Sequence, residues 1–402
     1  MKALLNDFSL TALLAGLLAT TISYAGPLVL IFQAAESAGL SQALLSSWVW
    51  AISIGSGVLG IVLSLRYRTP VVIAWSIPGS ALLVGALPTL GLNQAIGAYL
   101  IANLILLLIA LSGSFDRLLA KLPGSIAAGL QAGILFAFGI EVFKALPEQP
   151  LLIISMFVTY LLLRRMAPRY AVAGVLVVGA ALTLLGGQLR SEALVLDWAT
   201  PQWIAPEFSV AATLNLALPL VLVALTGQFM PGMAVLRNAG YSTPASPLIG
   251  ASAVGGALLA PFGCHGLNLA AVTASLCTGR EAHEDPKRRY VAAVSGSLAY
   301  LLLGSAGATL VSLFAAFPAA LIAALAGLAL YGAFSEALAR SLSDPTERDA
   351  GLFTFLVTAS GLSFIGLSAV FWGLLSGLAA HLLLRLRKPA VIASPVGEQV
   401  RE

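Results

Sequence analysis

Charge is what this sequence has least of. Of its 402 residues 9% are charged and 59% hydrophobic, whereas a soluble domain carries roughly 25% charged residues. A chain this poor in charge cannot cover a water-facing surface, which excludes a soluble globular protein, and no nucleic-acid partner is expected despite the formal net charge of +4. Cysteine is scarcer still. Cys264 and Cys277 lie in one segment, which argues against a disulfide framework or a cysteine metal centre, so they read as packing residues. Of three histidines, His283 is followed by Glu284, Asp285 and Pro286, a solvated turn rather than a ligand set. Adjacent Cys264 and His265 diverge on a helix and form no nucleophile–base pair. Gly55-Ser56-Gly57-Val58-Leu59-Gly60 lacks the strand-to-helix setting of a nucleotide loop, and no Walker lysine is present. Neither an enzyme nor a metal or other cofactor is expected.

What is abundant is apolar sequence, in runs near the ~20 residues that cross a bilayer. Fourteen spans are expected: 9–32, 41–65, 70–86, 92–111, 123–143, 149–163, 170–188, 212–235, 245–260, 262–278, 290–314, 317–336, 349–366 and 368–384. The first lacks a small-residue cleavage site and is expected to stay in the protein. With the N-terminus inside, nineteen of the 21 basic residues fall in inner connections, among them Lys2, Arg66, Arg68, Arg164, Arg289, Arg340, Arg387, Lys388 and Arg401. Lys144 and Arg190 fall outside. This asymmetry fits the positive-inside rule and places both termini in the cytoplasm.

The polar connection from Arg190 to Pro206 divides the chain into two sets of seven spans, 1–204 and 205–402. Short stretches match in order. Leu122-Pro123 resembles Phe317-Pro318, each followed eighteen residues after its proline by a glutamate, Glu141 or Glu336. Tyr24-Ala25-Gly26-Pro27 likewise resembles Gln228-Phe229-Met230-Pro231. Seven is odd, so the second set runs inverted, and inverted repeats with interrupted helices at matching places are a mark of secondary transporters. The fold class expected is therefore an all-α polytopic membrane protein with broken third and tenth spans.

The tenth span packs a proline, two glycines, a histidine and an asparagine into Pro261–Asn268. Such a break in hydrocarbon needs protein, water or a ligand to meet the freed backbone. The third span breaks at Pro70 and Pro78, with Val71, Val72 and Ile73 favouring extended chain between them. Half-helices entering from opposite sides point their N-termini at the midplane and favour an anion there. The candidate binding residues are Ser23, Tyr24, Trp75, Ser76, Gln228, His265, Gly266 and Asn268, with Ser80, Thr226 and Thr273 nearby. His265 either holds a proton or the anion, or is a neutral ring bonded to broken backbone. Gln228 and Asn268 are divided between ligand contact and interhelix hydrogen bonds, while Tyr24 and Trp75 also fit packing roles. Glu141 and Glu336 are candidates for proton coupling, but Lys144 and Arg340 at helical spacing favour surface ion pairs. Gln131 reads as an interhelix hydrogen bond.

The run Pro261-Phe262-Gly263-Cys264-His265-Gly266-Leu267-Asn268, with Cys277–Pro286, Arg289-Tyr290, Phe355–Gly361 and Ala369-Val370-Phe371-Trp372-Gly373, resembles the signature of the bacterial benzoate/proton symporters, the BenE family. The resemblance implies import of benzoate with protons across the bacterial inner membrane. The wider architecture resembles the uracil-transporter fold, which implies a core of spans 1–4 and 8–11, a gate of spans 5–7 and 12–14, and a homodimer. Nucleobase members of that fold carry acids on the eighth and tenth spans; Gln228 and His265 stand there in this chain, which suits a carboxylate better than a base. Another small anion or a nucleobase on the same fold, a channel, and an intramembrane enzyme are the alternatives.

Overall fold

The computed structural model describes residues 7–121 and 123–385. Lys2, Leu122, Arg387, Lys388 and Arg401, which enter the charge and repeat patterns above, lie outside the described residues. In chain order the main elements are α1 (Leu10–Ala25), α2 (Pro27–Ser37), α3 (Gln42–Tyr67), β1 (Ile73–Ala74), α4 (Ile77–Leu90), α5 (Leu92–Ser112), α6 (Phe115–Lys121), α7 (Gly124–Lys144), α8 (Pro150–Met166) and α9 (Ala171–Leu185). They continue as α10 (Val210–Asn238), α11 (Ala245–Leu259), β2 (Asn268–Leu269), α12 (Val272–Thr278), α13 (Tyr290–Ser305), α14 (Gly307–Ala315), α15 (Ala319–Leu342), α16 (Arg348–Ala359) and α17 (Ala369–Arg385). The protein is a mostly helical, polytopic membrane protein. Among the described residues seven helices are long and apolar enough to cross a bilayer, or eight if one bent pair counts as a span.

Several apolar runs are thus divided more finely than hydropathy alone indicates. The run expected at 290–314 bends by 68° between α13 and α14. The run expected at 349–366 leaves the helix after Ala359 and turns through Gly361 and Gly366, closed by a bridge between Phe364 and Leu367. Asn215 holds that turn, donating to the Gly366 carbonyl at 3.0 Å and accepting from the Ser368 N–H at 2.8 Å. Helix α10 contains two π-turns, Thr213–Ala217 and Leu225–Phe229, each just ahead of a proline, Pro219 or Pro231. Proline brings no N–H to the ladder, and a π-turn is one way to absorb that loss within a continuous helix.

The helices pack in two groups. Helix α7 lies against α15 and α16, α16 against α17, and α8 against α9; α3 lies against α13, α13 against α1, α11 against α5, and α2 against α4. Lipid supplies no hydrophobic drive for helices to associate, so close approach of small residues matters. At Gly16 the backbones of α1 and α13 meet so closely that a Cβ would overlap the main chain of Ala292 and Gly296. The buried core runs through α2, α3, β1, α5, α10 and α13, with Trp48, Tyr99, Phe229, Tyr290 and Tyr300 its largest members.

Candidate functional site

Two extended segments cross inside the helical body. Strands β1 and β2 pair antiparallel, Ile73 opposite Leu269 and Ala74 opposite Asn268, and the Ala270 N–H donates to the Val72 carbonyl at 2.9 Å. The four residues of the ladder are all buried. Backbone groups at that depth need partners, and the ladder lets each broken span satisfy the other. Upstream, the Ser64 hydroxyl bonds both the N–H and the carbonyl of Val71, each at 3.1 Å. Downstream, Ser76 caps α4 by accepting from the Gly79 N–H at 3.0 Å, and Pro78 sits in the first turn where no donor is required.

His265 stands beside this crossing and is 3% exposed. Trp48 Nε1 donates to its Nδ1 at 3.3 Å, and Ser80 Oγ lies 3.1 Å from its Nε2. Indole is a donor only, so Nδ1 must be the acceptor; the neutral ring carries its proton on Nε2 and donates to Ser80. His265 thereby ties α3 to the first turns of α4. The approach of Trp48 depends on Gly263, which has φ +104 and whose added Cβ would lie 2.9 Å from Trp48. Rings of Trp48 and Tyr99 flank the imidazole edge-on at 6.0 and 6.2 Å.

Ser76, His265, Gly266 and Asn268 line one small cavity together with Asn103 and Leu220. It leaves about 10 Å³ for the centre of a water molecule, room for roughly one water. Tyr24, Trp75 and Ser23 are held elsewhere in the crossing. Tyr24 donates to Ser53 and its ring lies 5.2 Å from those of Trp75 and Tyr300, while Ser23 donates to Thr273 at 3.0 Å. The Trp75 Nε1–H is buried without a hydrogen-bond partner among the described residues. Gln228 is half-buried in the second π-turn and does not line the cavity.

The expectation of open N–H groups at both half-helices meets a mixed outcome. Among the described residues helix α12 has no side-chain cap, but at α4 Ser76 occupies the Gly79 N–H through its hydroxyl and the Ser80 N–H through its carbonyl. Glu141 and Glu336 lie away from the cavity, 48% and 68% exposed, with Lys144 at 2.7 Å and Arg340 at 4.0 Å. His283 accepts from the Asp285 N–H at 2.9 Å in an exposed turn. Gln131 accepts from Arg340 at 3.3 Å, an interhelix bond as read from sequence.

Sequence reasoning missed Trp48, Tyr99 and Asn103. Asn103 was findable, as a lone amide in the apolar run of α5; the two aromatics carry no signal that separates a ring partner from packing. It also missed Arg289, which is 7% exposed and donates to the carbonyls of Thr278, His283 and Glu284, closing the end of α12.

The family profile described as benzoate membrane transport protein, BenE, matches residues 6–383. The chain belongs to the benzoate membrane transport family. One member, the benzoate membrane transport protein of Acinetobacter baylyi, is 48% identical over 384 residues, covering 96% of this chain and 98% of that protein. The inner membrane protein YdcO of Escherichia coli is 41% identical over 374 residues, covering 93% and 96%. Among solved structures, SLC26A9 superposes with a TM-score of 0.64 at 13% identity, covering 95% of this chain and 67% of that one. The transmembrane domain of the cyanobacterial bicarbonate transporter BicA superposes with a TM-score of 0.58 at 12% identity, covering 92% and 98%. At such identities the likeness shows the fold. This member of the benzoate transport family is a membrane transporter rather than an enzyme. Among the described residues lining its His265 cavity there is no carboxylate, so that cavity offers hydrogen bonds without negative charge.

Proposed function

We propose that the protein imports benzoate, or a closely similar small aromatic carboxylate, together with protons across the bacterial inner membrane. The observation that carries this reading is the 48% identity, over 96% of the chain, to a protein named for benzoate transport. The substrate site we propose is the β1–β2 crossing, with His265, Asn268, Ser76 and Gly266 nearest the carboxylate. Gln228, Tyr24, Trp75 and Ser23 form the surrounding wall that becomes available as the site opens. Its lack of an acid supports an anionic ligand. His265 is the proposed proton carrier: Trp48 holds Nδ1 as an acceptor now, and a carboxylate entering between the two rings would give Trp48 a new acceptor and free Nδ1 for a proton.

The proposed layout is fourteen passes in two inverted sets of seven, with α1–α2, β1–α4, β2–α12 and α13–α14 each counted as one pass and the short α6 outside the count. Antiparallel pairing of β1 with β2 supports entry of the broken spans from opposite sides. The two packing groups support a core of spans 1–4 and 8–11 working against a gate of spans 5–7 and 12–14. Both termini are proposed to be cytoplasmic, on the distribution of basic residues, and a homodimer is the proposed assembly. A cavity with room for one water excludes an aromatic ring, so this conformation must open to load, as alternating access requires.

Uptake of radiolabelled benzoate into proteoliposomes tests the reading, with and without an inward proton gradient and with uracil as competitor. Gradient-driven accumulation that uracil leaves unchanged is expected. Folded protein with no benzoate uptake, or uptake blocked by uracil, would assign the fold another substrate.

A further inference from the structure

Away from the β1–β2 crossing, one cation sits where the two packing groups meet. Arg340, near the end of α15, reaches across to α7 and donates from Nη2 to Gln131 Oε1 at 3.3 Å. Gln131 is 8% exposed. Its Oε1 lies 3.4 Å from where a Cβ on Gly227 would be, and that same position is 3.7 Å from Pro78 Cγ. The guanidinium–amide pair therefore abuts both the second π-turn of α10 and the first turn of α4, on the seam between the groups.

The charge there is poorly matched. Among the described residues the buried Arg340 Nε has no hydrogen-bond partner, and the carboxylate of Glu336, one turn back on α15, stands 4.0 Å away and is 68% exposed. That distance is beyond a hydrogen bond. A second guanidinium approaches the same helix, with Arg164 Nη1 3.2 Å from a Cβ placed on Gly332; Arg164 itself donates to Tyr160 at 2.9 Å. A buried donor of a charged group without an acceptor is costly, and is explained readily if an acceptor arrives during function.

We propose that Arg340, together with Gln131, is a second carboxylate-binding station, at the cytoplasmic mouth of the pathway. The guanidinium presents adjacent N–H groups in a fork that fits a carboxylate, and Gln131, whose oxygen faces Arg340, has its amide N–H₂ available for a substrate oxygen. An aromatic acid leaving the β1–β2 crossing between α4, α7 and α10 meets this pair before water. The proposal rests on the transport reading above and on the cytoplasmic placement of the end of α15.

The test is sided. Apparent benzoate affinity is measured from each face, in right-side-out and inside-out vesicles, for the wild type, Arg340→Gln, Arg340→Lys and Gln131→Glu. Losing a charged hydrogen bond of this kind weakens binding about tenfold or more. Arg340→Gln is expected to raise the half-saturating concentration at the cytoplasmic face by about that factor, with little change at the outer face. Arg340→Lys is expected to restore part of the loss, because it keeps the charge without the fork. Gln131→Glu places a fixed carboxylate on the guanidinium and is expected to mimic Arg340→Gln with the arginine intact, so the test survives if Arg340→Gln fails to fold. Unchanged cytoplasmic affinity in Arg340→Gln and Gln131→Glu, or a loss confined to the outer face, overturns this assignment alone. Absence of benzoate flux in folded wild-type protein overturns the transport reading and this proposal with it.

Discussion

At the scale of single residues, the environment of His265 separates two kinds of polar group in a membrane chain. Its two ring nitrogens are each engaged at depth, by Trp48 and Ser80, whereas Glu141 and Glu336 are exposed and paired along their own helices. His265→Ala is therefore expected to abolish benzoate uptake while the protein still reaches the membrane. Glu141→Gln and Glu336→Gln should leave accumulation per unit of protein intact, since exposed pairs of this kind contribute under about 1 kcal/mol. Uptake assays normalised to purified protein check both; a folded glutamate variant that binds benzoate without accumulating it would return that glutamate to the coupling pathway. His265, Asn268 and Ser76 were legible because a polar side chain in an apolar run demands a partner. Trp48 was not, since a tryptophan in a span satisfies the apolar pattern whether or not its N–H has a task. Tyr24 and Trp75 were legible as aromatics near the break, but their mutual stacking depends on which helices meet there.

At the scale of elements, the breaks were legible and the bends were not. Prolines and glycines around the third and tenth spans announce a chain leaving the helix, and β-branched Val71 to Ile73 announce its extended form. The pairing of the two breaks is a long-range contact that neither stretch encodes alone. Pro219 and Pro231 were visible too, yet the π-turns ahead of them are one of several ways a helix accommodates proline. The 68° bend between α13 and α14 has no proline to mark it. Gly263 is where an element is most exposed to a single change. With φ +104 and Trp48 against its missing Cβ, Gly263→Ala forces both a strained backbone and an overpacked ring, together roughly 2–5 kcal/mol. The expected result is a lower unfolding temperature in detergent and loss of uptake. A variant with wild-type thermal stability would show that the crossing tolerates a shift of Trp48.

At the scale of the molecule, the two packing groups have to separate if a benzoate is to reach the crossing, because the cavity there holds about one water. Gly26, at the join of α1 and α2, lies against Ala329 of α15, with 3.7 Å between a Cβ placed on the glycine and the Cβ of the alanine. Bonded cysteines have Cβ atoms about 3.5–4.5 Å apart, so this pair is suited to a lock across the seam. Gly26 has φ −91 and accepts a side chain without backbone strain. Cys264 and Cys277 are buried in the tenth span and serve as the background carried by both single-cysteine controls. The oxidised double variant Gly26→Cys with Ala329→Cys is expected to lose benzoate uptake, and reduction should restore it. Each single variant should transport under both conditions. Uptake that persists through complete cross-linking would mean that Gly26 and Ala329 stay together throughout the cycle, and would move the opening to another part of the seam, with the contact between Gly227 and Gln131 the next place to lock.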